Sequence, residues 1–229
     1  MQRISTPEIL DSDACSPHEV DTSLRDLCRI NRWYGGVATS QALIERVVRS
    51  SAGTKRFSLL EVAAGFAEAP AIAAEQLARH GITLDVTLLD RAKSHLLPGG
   101  RSLVADALAL PFRDGAFDMV SCSLFTHHLE PEELVRYVRE ALRVSRRAVL
   151  INDLVRHPLH LALVYAGVLF MRNKISLVDG IASVRRAYIP AEMHEILGSA
   201  FPNGSAPRLE ISRHYLFRMG VVVWKGKQL

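Results

Sequence analysis

Residues 57–67, Phe57-Ser58-Leu59-Leu60-Glu61-Val62-Ala63-Ala64-Gly65-Phe66-Ala67, decide the fold. Phe57–Val62 is an apolar run of strand length with an acid one residue before its end, and Ala63-Ala64-Gly65 stops it at a turn. Ala69–His80 then reads as a helix closed by Gly81, since glycine readily takes the left-handed conformation that ends helices. Leu84–Leu89 is a second buried run, ending at Asp90. Strand, helix and strand at this pace make a βαβ unit, and βαβ units make a parallel sheet.

The pattern continues outward from this unit. Ser102–Ala105 is a short strand ending at Asp106, and Phe117–Ser121 is a strand after the turn Arg113-Asp114-Gly115. Pro131 fits the first turn of a helix running to about Val144, with Glu132 and Glu133 complementing its N-terminal dipole. Ala148–Ile151 is the next strand. His157–Arg172 is helical, a further helix runs from near Pro190 to Ser199, and Arg208–Tyr215 with Met219–Trp224 form an antiparallel hairpin at one edge. Upstream, the spacing of Leu24, Leu27, Ile30, Trp33, Leu43, Ile44 and Val47 gives two helices interrupted at Gly35-Gly36. Expected is an α/β chain with an open, doubly wound sheet.

Composition sets bounds on function. The 229 residues are 48% hydrophobic and 23% charged with a net charge of +4, enough for one packed domain and too mild a balance to name a partner. No Lys/Arg block marks a nucleic-acid surface. The longest apolar stretch, Leu159–Met171, is too short to span a bilayer and contains His160. Met1–Pro17 lacks the basic start and apolar run of a secretory signal, and Cys15, Cys28 and Cys122 have no metal or disulfide spacing. A cytoplasmic chain with no metal and no stable membrane insertion is expected. Residues 1–20 are expected to be a flexible N-terminal arm, and 21–229 a single domain with a helical lid (21–50) and a helical insert (157–200).

Ligands of such sheets bind beyond the carboxyl ends of the strands, at the point where strand order reverses. Glu61, Asp90, Asp106, Ser121 to His128 and Asn152-Asp153 all fall at such ends. A nucleotide-like ligand follows, but not a dinucleotide: aligned on Gly65, the outer glycine positions of that fingerprint hold Ala63 and Glu68. A carboxylate at Glu68 would repel a pyrophosphate seated on the helix N-terminus. No Gly-Lys-Ser/Thr signature of a phosphate loop occurs.

Leu59–Ala67 resembles the acidic-x-G-x-G-x-G first motif of class I S-adenosylmethionine methyltransferases, and Leu88-Leu89-Asp90 their second acidic position. Val104-Ala105-Asp106-Ala107, Leu110-Pro111-Phe112 and Phe117-Asp118-Met119-Val120 are similar to the third motif and fourth strand. Ser123–Leu129, with His127-His128, resembles the loop of the type 11 group, which includes quinone-biosynthesis and natural-product enzymes. The resemblance covers roughly residues 55–155. It implies a Rossmann-like, doubly wound seven-stranded sheet, mostly parallel with an antiparallel edge strand and helices on both faces. One departure is that Ala63 and Ala67 replace two motif glycines. Alanine tolerates positive φ poorly, so either that turn keeps ordinary dihedrals or cofactor affinity suffers.

The implied cofactor is S-adenosyl-L-methionine, and the implied contacts are Glu61, Ala63, Gly65, Asp90, Arg91, Asp106, Ala107 and Ser123. Glu61 orients the methionine portion, the Gly65 backbone lines the cofactor, and Asp90 accepts both ribose hydroxyls. Asp106 accepts from the adenine amino group while the Ala107 amide donates to a ring nitrogen. His127 and His128 are the candidate catalytic bases, as imidazole titrates in the useful range; which of them serves stays open. Asp118, in its Phe-Asp pair entering a strand, is assigned to structure. Arg185-Arg186 reads as a solvated pair or as a closing element.

The expected partner is a small, largely apolar acceptor, phenolic or polyketide/quinone-like, with O-methylation favoured. Leu159–Met171 supplies the apolar surface for its chamber, and Trp33 to Gly36 supplies a lid with a glycine hinge. A homodimer is admitted; a nucleic-acid substrate is not, because Ser121-Cys122-Ser123-Leu124 lacks the prolines of base-methylating enzymes. The alternative reading is a catalytically degenerate methyltransferase-like binding protein, suggested by Ala63 and Ala67.

Overall fold

The structure is a computed structural model that describes residues 1–11, 16–51, 53–96, 100–167, 174–201 and 207–226. Its strands are β1 (Arg56–Val62), β2 (Thr83–Asp90), β3 (Ser102–Val104), β4 (Phe117–Ser123), β5 (Ser145–Leu154), β6 (Arg208–His214) and β7 (Arg218–Trp224). They form one seven-stranded sheet in the order β3-β2-β1-β4-β5-β7-β6. β1 to β5 pair in parallel, whereas β7 runs antiparallel to β5 and to β6. The reversed strand therefore lies one place in from the edge, because the final hairpin places β6 outside it.

The helices are α1 (Pro17–Trp33), α2 (Gly36–Arg49), α3 (Glu68–Arg79), α4 (Pro131–Val144), α5 (Pro158–Ala166), α6 (Lys174–Arg186) and α7 (Pro190–Ser199). α1 starts at Pro17, ahead of the expected Asp21, because Ser16 and Glu19 cap it reciprocally. Pro131 and Pro190 open α4 and α7, where their missing N–H costs nothing. The insert resolves into α5, α6 and α7, and the sequence pattern does not mark α6 off separately. Val168, Leu169, Phe170 and Met171 of the expected apolar stretch lie outside the described residues.

Both sheet faces are covered, which is why central strands lack polar alternation. Leu43, Ile44 and Val47 of α2 pack with Leu59, Met119, Leu150 and Val222 on one face. Leu134, Tyr137 and Val138 of α4, with Met193 of α7, pack with Leu60, Val120, Val149 and Ile151 on the other. α1 and α6 lie against each other, and α6 also reaches the 3-10 turn Thr126–His128 that follows β4. The carboxyl ends of β1, β4 and β5 are thus roofed, with the strand-order reversal between β1 and β4 beneath.

Candidate active site

The turn after β1 is left-handed at each motif position: φ is 52° at Ala63, 49° at Gly65 and 51° at Ala67. The ordinary-dihedral alternative for the two alanines is therefore excluded, and both carry the strain that glycine avoids. Nothing lies within 4 Å of a Cβ built on Gly65, so its exposed backbone faces open space. The Gly65 N–H donates to Asp90 Oδ2 at 3.1 Å, and the Ala92 N–H donates to Asp90 Oδ1 at 3.0 Å. Burial alone would raise the Asp90 pKa, but His95 and these two amides outweigh it and hold the carboxyl below its usual range. An ionised carboxylate has about four acceptor positions. The two amides and His95 Nδ1, 3.3 Å from Oδ1, take three of those on Asp90, which leaves one for a ribose hydroxyl rather than the two expected from the sequence.

Glu61 lies under α2 and α3, lining a small cavity with Ser40, Leu43, Ile44, Pro70, Ser121 and Asn152. Ser121 donates its hydroxyl to the Glu61 carboxylate. Burial dominates over this bond and pushes the Glu61 pKa up to about 7. A buried carboxyl poised there gains its charge most readily beside a cation. Asn152 Nδ2 is within 2.8 Å of Gly36 O and Ser40 Oγ and 2.9 Å of Ser123 Oγ, joining α2 to the end of β4.

β4 leaves the sheet through Leu124, whose φ is 56°, and the chain turns into Thr126–His128. Here Asp153, near the end of β5, collects four bonds, one of them from the Leu154 N–H to Oδ1 at 2.7 Å. Its Oδ2 accepts from Thr126 Oγ1 at 2.5 Å and from the His127 N–H at 3.0 Å, and Oδ1 lies 2.7 Å from His127 Nδ1. Glu8 approaches from the N-terminal segment, with Oε1 3.3 Å from His127 Nε2 and 3.7 Å from His128 Nε2. Burial disfavours the imidazolium, but Asp153 and Glu8 outweigh it and raise the His127 pKa to about 9. Burial likewise works against the Asp153 anion, yet His127 holds that carboxyl well below the usual range.

Gly65 and Asp90 meet beyond the carboxyl ends of β1 and β2, Glu61 is buried beneath α2 and α3 near the end of β1, and Ser123, His127 and His128 follow at the end of β4. Asp106 follows β3 and is exposed, its carboxylate accepting from the Leu108 N–H at 2.9 Å. Ala107 packs against the core and Arg91 is exposed. Residues 1–11 are docked here. Arg3 bonds to Glu130 Oε2 at 2.7 Å and the Leu129 carbonyl at 3.0 Å, and the Ile9 N–H reaches Asp179 at 2.7 Å. Arg186 is buried and donates to the His128 carbonyl at 2.8 Å, so it is no solvated surface group. Glu8 and Arg218 carry no signal in the sequence: one sits in an aperiodic polar segment, the other at a strand end read as starting one residue later.

Residues 60–151 match the family described as Methyltransferase domain. No curated protein matches the chain. Among solved structures, the plantazolicin methyltransferase in complex with SAH is similar with a TM-score of 0.66 at 11% identity, over 95% of this chain and 93% of that one. A SAM-dependent methyltransferase from Aquifex aeolicus is similar at 0.57 and 16% identity, over 93% and 100% of the two chains. Magnesium protoporphyrin IX methyltransferase from Synechocystis PCC 6803 with bound SAH gives 0.52 and 15%, over 84% of each.

Proposed function

We propose that this chain, whose residues 60–151 match the methyltransferase domain family, is a class I S-adenosylmethionine-dependent methyltransferase that O-methylates a small, largely apolar acceptor held beside His128. The carrying observation is the left-handed turn after β1, whose Gly65 N–H is fixed by Asp90 at the end of the neighbouring strand, with the buried Glu61 carboxyl near the end of β1 itself. S-adenosylmethionine supplies an activated methyl group on a cationic sulfur. The residues present fit it: Glu61 offers a buried carboxylate to positive charge, Asp90 offers its remaining acceptor position to a ribose hydroxyl, and the open face of Gly65 admits close approach.

Methyl transfer is an in-line displacement, so the protein's work is alignment, exclusion of water and one proton transfer. Asp153 and Glu8 keep His127 cationic near neutral pH, which disqualifies it as a base there. Deprotonation of the acceptor hydroxyl then falls to His128, half-buried in the same turn. Asp106, Ala107, Arg91 and Ser123 remain assigned to the cofactor, with Asp106 on the adenine amino group. α1, packed against Lys93–His95, forms a lid over the ribose end, and α5 with α6 walls the acceptor chamber.

Calorimetric titration with S-adenosylmethionine, followed by labelled-methyl transfer to a phenol and quinol panel, tests the reading. Micromolar binding and label in an oxygen-linked methyl are expected. The strained Ala63 and Ala67 favour one second reading, a binding protein that has lost catalysis; cofactor binding with no transfer to any acceptor would support it.

A further inference from the structure

Arg218 opens β7 opposite Leu154 and is 2% exposed, yet its Nε and Nη1 have no hydrogen-bond partner. Burial lowers its pKa to about 10, which leaves it cationic at neutral pH. The one carboxylate acting on it through space is Asp153, already committed to Thr126 and His127. A buried guanidinium with its Nε and Nη1 unpaired is costly, and a bound anion is one way such a group is completed.

The surroundings say what kind of ligand. A Cβ on Gly36 would come within 3.1 Å of Arg218 Cζ, so the guanidinium lies against the first residue of α2. α2 runs from Gly36 to Arg49, and its N-cap, Gly35, is left-handed and gives no side-chain cap. The first amides of the helix and the positive end of its dipole therefore add to the Arg218 charge. An acceptor oxygen already points to the place. Asn31 Oδ1 is buried without a partner and lies 1.6 Å from that same Cβ position.

We propose that Arg218 and the N-terminal amides of α2 form an anion site that takes a ligand carboxylate at the acceptor end of the cleft. Its place, at the far end of β5 and β7 and across β4 from Asp90, favours an acceptor that carries the carboxylate. The aminoacyl carboxylate of the cofactor has the same chemistry. The site itself stands on the geometry, and only the identity of its occupant rests on the methyltransferase reading.

Arg218→Met and Asn31→Asp test it on the full chain, read by melting temperature and calorimetric Kd. The probes are S-adenosylhomocysteine, decarboxylated S-adenosylmethionine, and benzoate against phenol on the S-adenosylhomocysteine-loaded protein. Arg218→Met is expected to melt no lower than wild type and to lose at least tenfold in affinity for whichever carboxylate occupies the site. If the acceptor supplies it, benzoate binding falls while S-adenosylhomocysteine is unaffected. If the cofactor supplies it, S-adenosylhomocysteine binding falls while the decarboxylated analogue is indifferent to the substitution. Asn31→Asp places an anion there from within, so it should raise the melting temperature by about 2–4 °C and weaken carboxylate binding. A lower melting temperature in Arg218→Met with every Kd unchanged, or an Asn31→Asp protein that neither gains stability nor competes, overturns the proposal. Should wild type fail to bind S-adenosylhomocysteine while Asn31→Asp is still stabilised, the cofactor reading falls and the anion site stands.

Discussion

Asp153 holds His127 from two sides of one residue, its Oδ2 accepting the backbone N–H at 3.0 Å while Oδ1 lies 2.7 Å from the ring Nδ1. This fixes both the turn after β4 and the orientation of the ring. The pair joins the ends of neighbouring parallel strands, so it fastens the post-β4 loop to the sheet.

Loss of that clamp should be severe. Asp153→Asn leaves His127 with Glu8 as its one carboxylate partner among the described residues, at a cost toward the lower end of about 3–5 kcal/mol, measured by urea denaturation at pH 6. The pH profile carries the sign. A raised imidazole pKa gives stability that is complete below the unfolded value and fades as pH climbs through about 9. A depressed Asp153 pKa gives stability present above the ordinary carboxylate value and lost in acid. Wild type should therefore lose stability between pH 6.5 and 9, and the variant should show a flatter slope there.

His128→Gln separates the two imidazoles. Turnover should drop about 100-fold or more with cofactor Kd unchanged, as expected for a lost general base. His127→Gln should instead lower stability first. Equal turnover in His128→Gln and wild type would return the base to another group.

On the proposed assignment, Glu61 makes cofactor binding pH-dependent. Its carboxyl is pushed up to about 7, so free protein loses stability as pH rises through that value, while affinity for a cationic ligand grows. Titrations at pH 5.5 and 8 should show tighter S-adenosylmethionine binding at the higher pH, and Glu61→Gln should abolish the difference.

The turn after β1 offers a test in the stabilising direction. Ala63→Gly and Ala67→Gly remove left-handed strain but loosen the unfolded chain, a net gain of about 0.5–1 kcal/mol each. Gly65→Ala, in contrast, should cost little in stability, about 1 kcal/mol, and much in affinity, since its face is the open one. Melting curves with and without cofactor distinguish these effects.

Leu163→Glu probes the chamber wall. Leu163 is half-buried on α5, beside α6, and a charge there should raise acceptor KM about tenfold or more while cofactor Kd stays the same. A folded variant with full turnover would remove α5 from the acceptor site.

Strands were legible in the sequence because both faces of a parallel sheet are buried: Leu59, Leu60 and Val62 form a short apolar run, and its length and the Ala63-Ala64-Gly65 turn after it mark it as a strand. Asp118 was legible as structural, and its Oδ2 indeed accepts from the N–H and hydroxyl of Ser58, both at 2.9 Å. The partners of His127 were not. Asp153 and Glu8 meet it across 26 and 119 positions of chain, and sequence periodicity encodes faces of elements rather than such encounters. Arg218 was hidden for a related reason, since a charged residue at a strand end ordinarily reads as solvent-facing.

The Asn152 carboxamide reaches the first residue of α2, a hydroxyl one turn along it, and the last residue of β4. Helix and strand end are therefore geared together. On the proposed reading, in which α2 belongs to the lid and the end of β4 faces the acceptor, displacing the helix to exchange the nucleoside pulls on the acceptor wall, and the exchange of the two ligands is coupled. The expected outcome of such gearing is ordered addition with the nucleoside first, and random-order initial-rate kinetics would show the coupling to be absent.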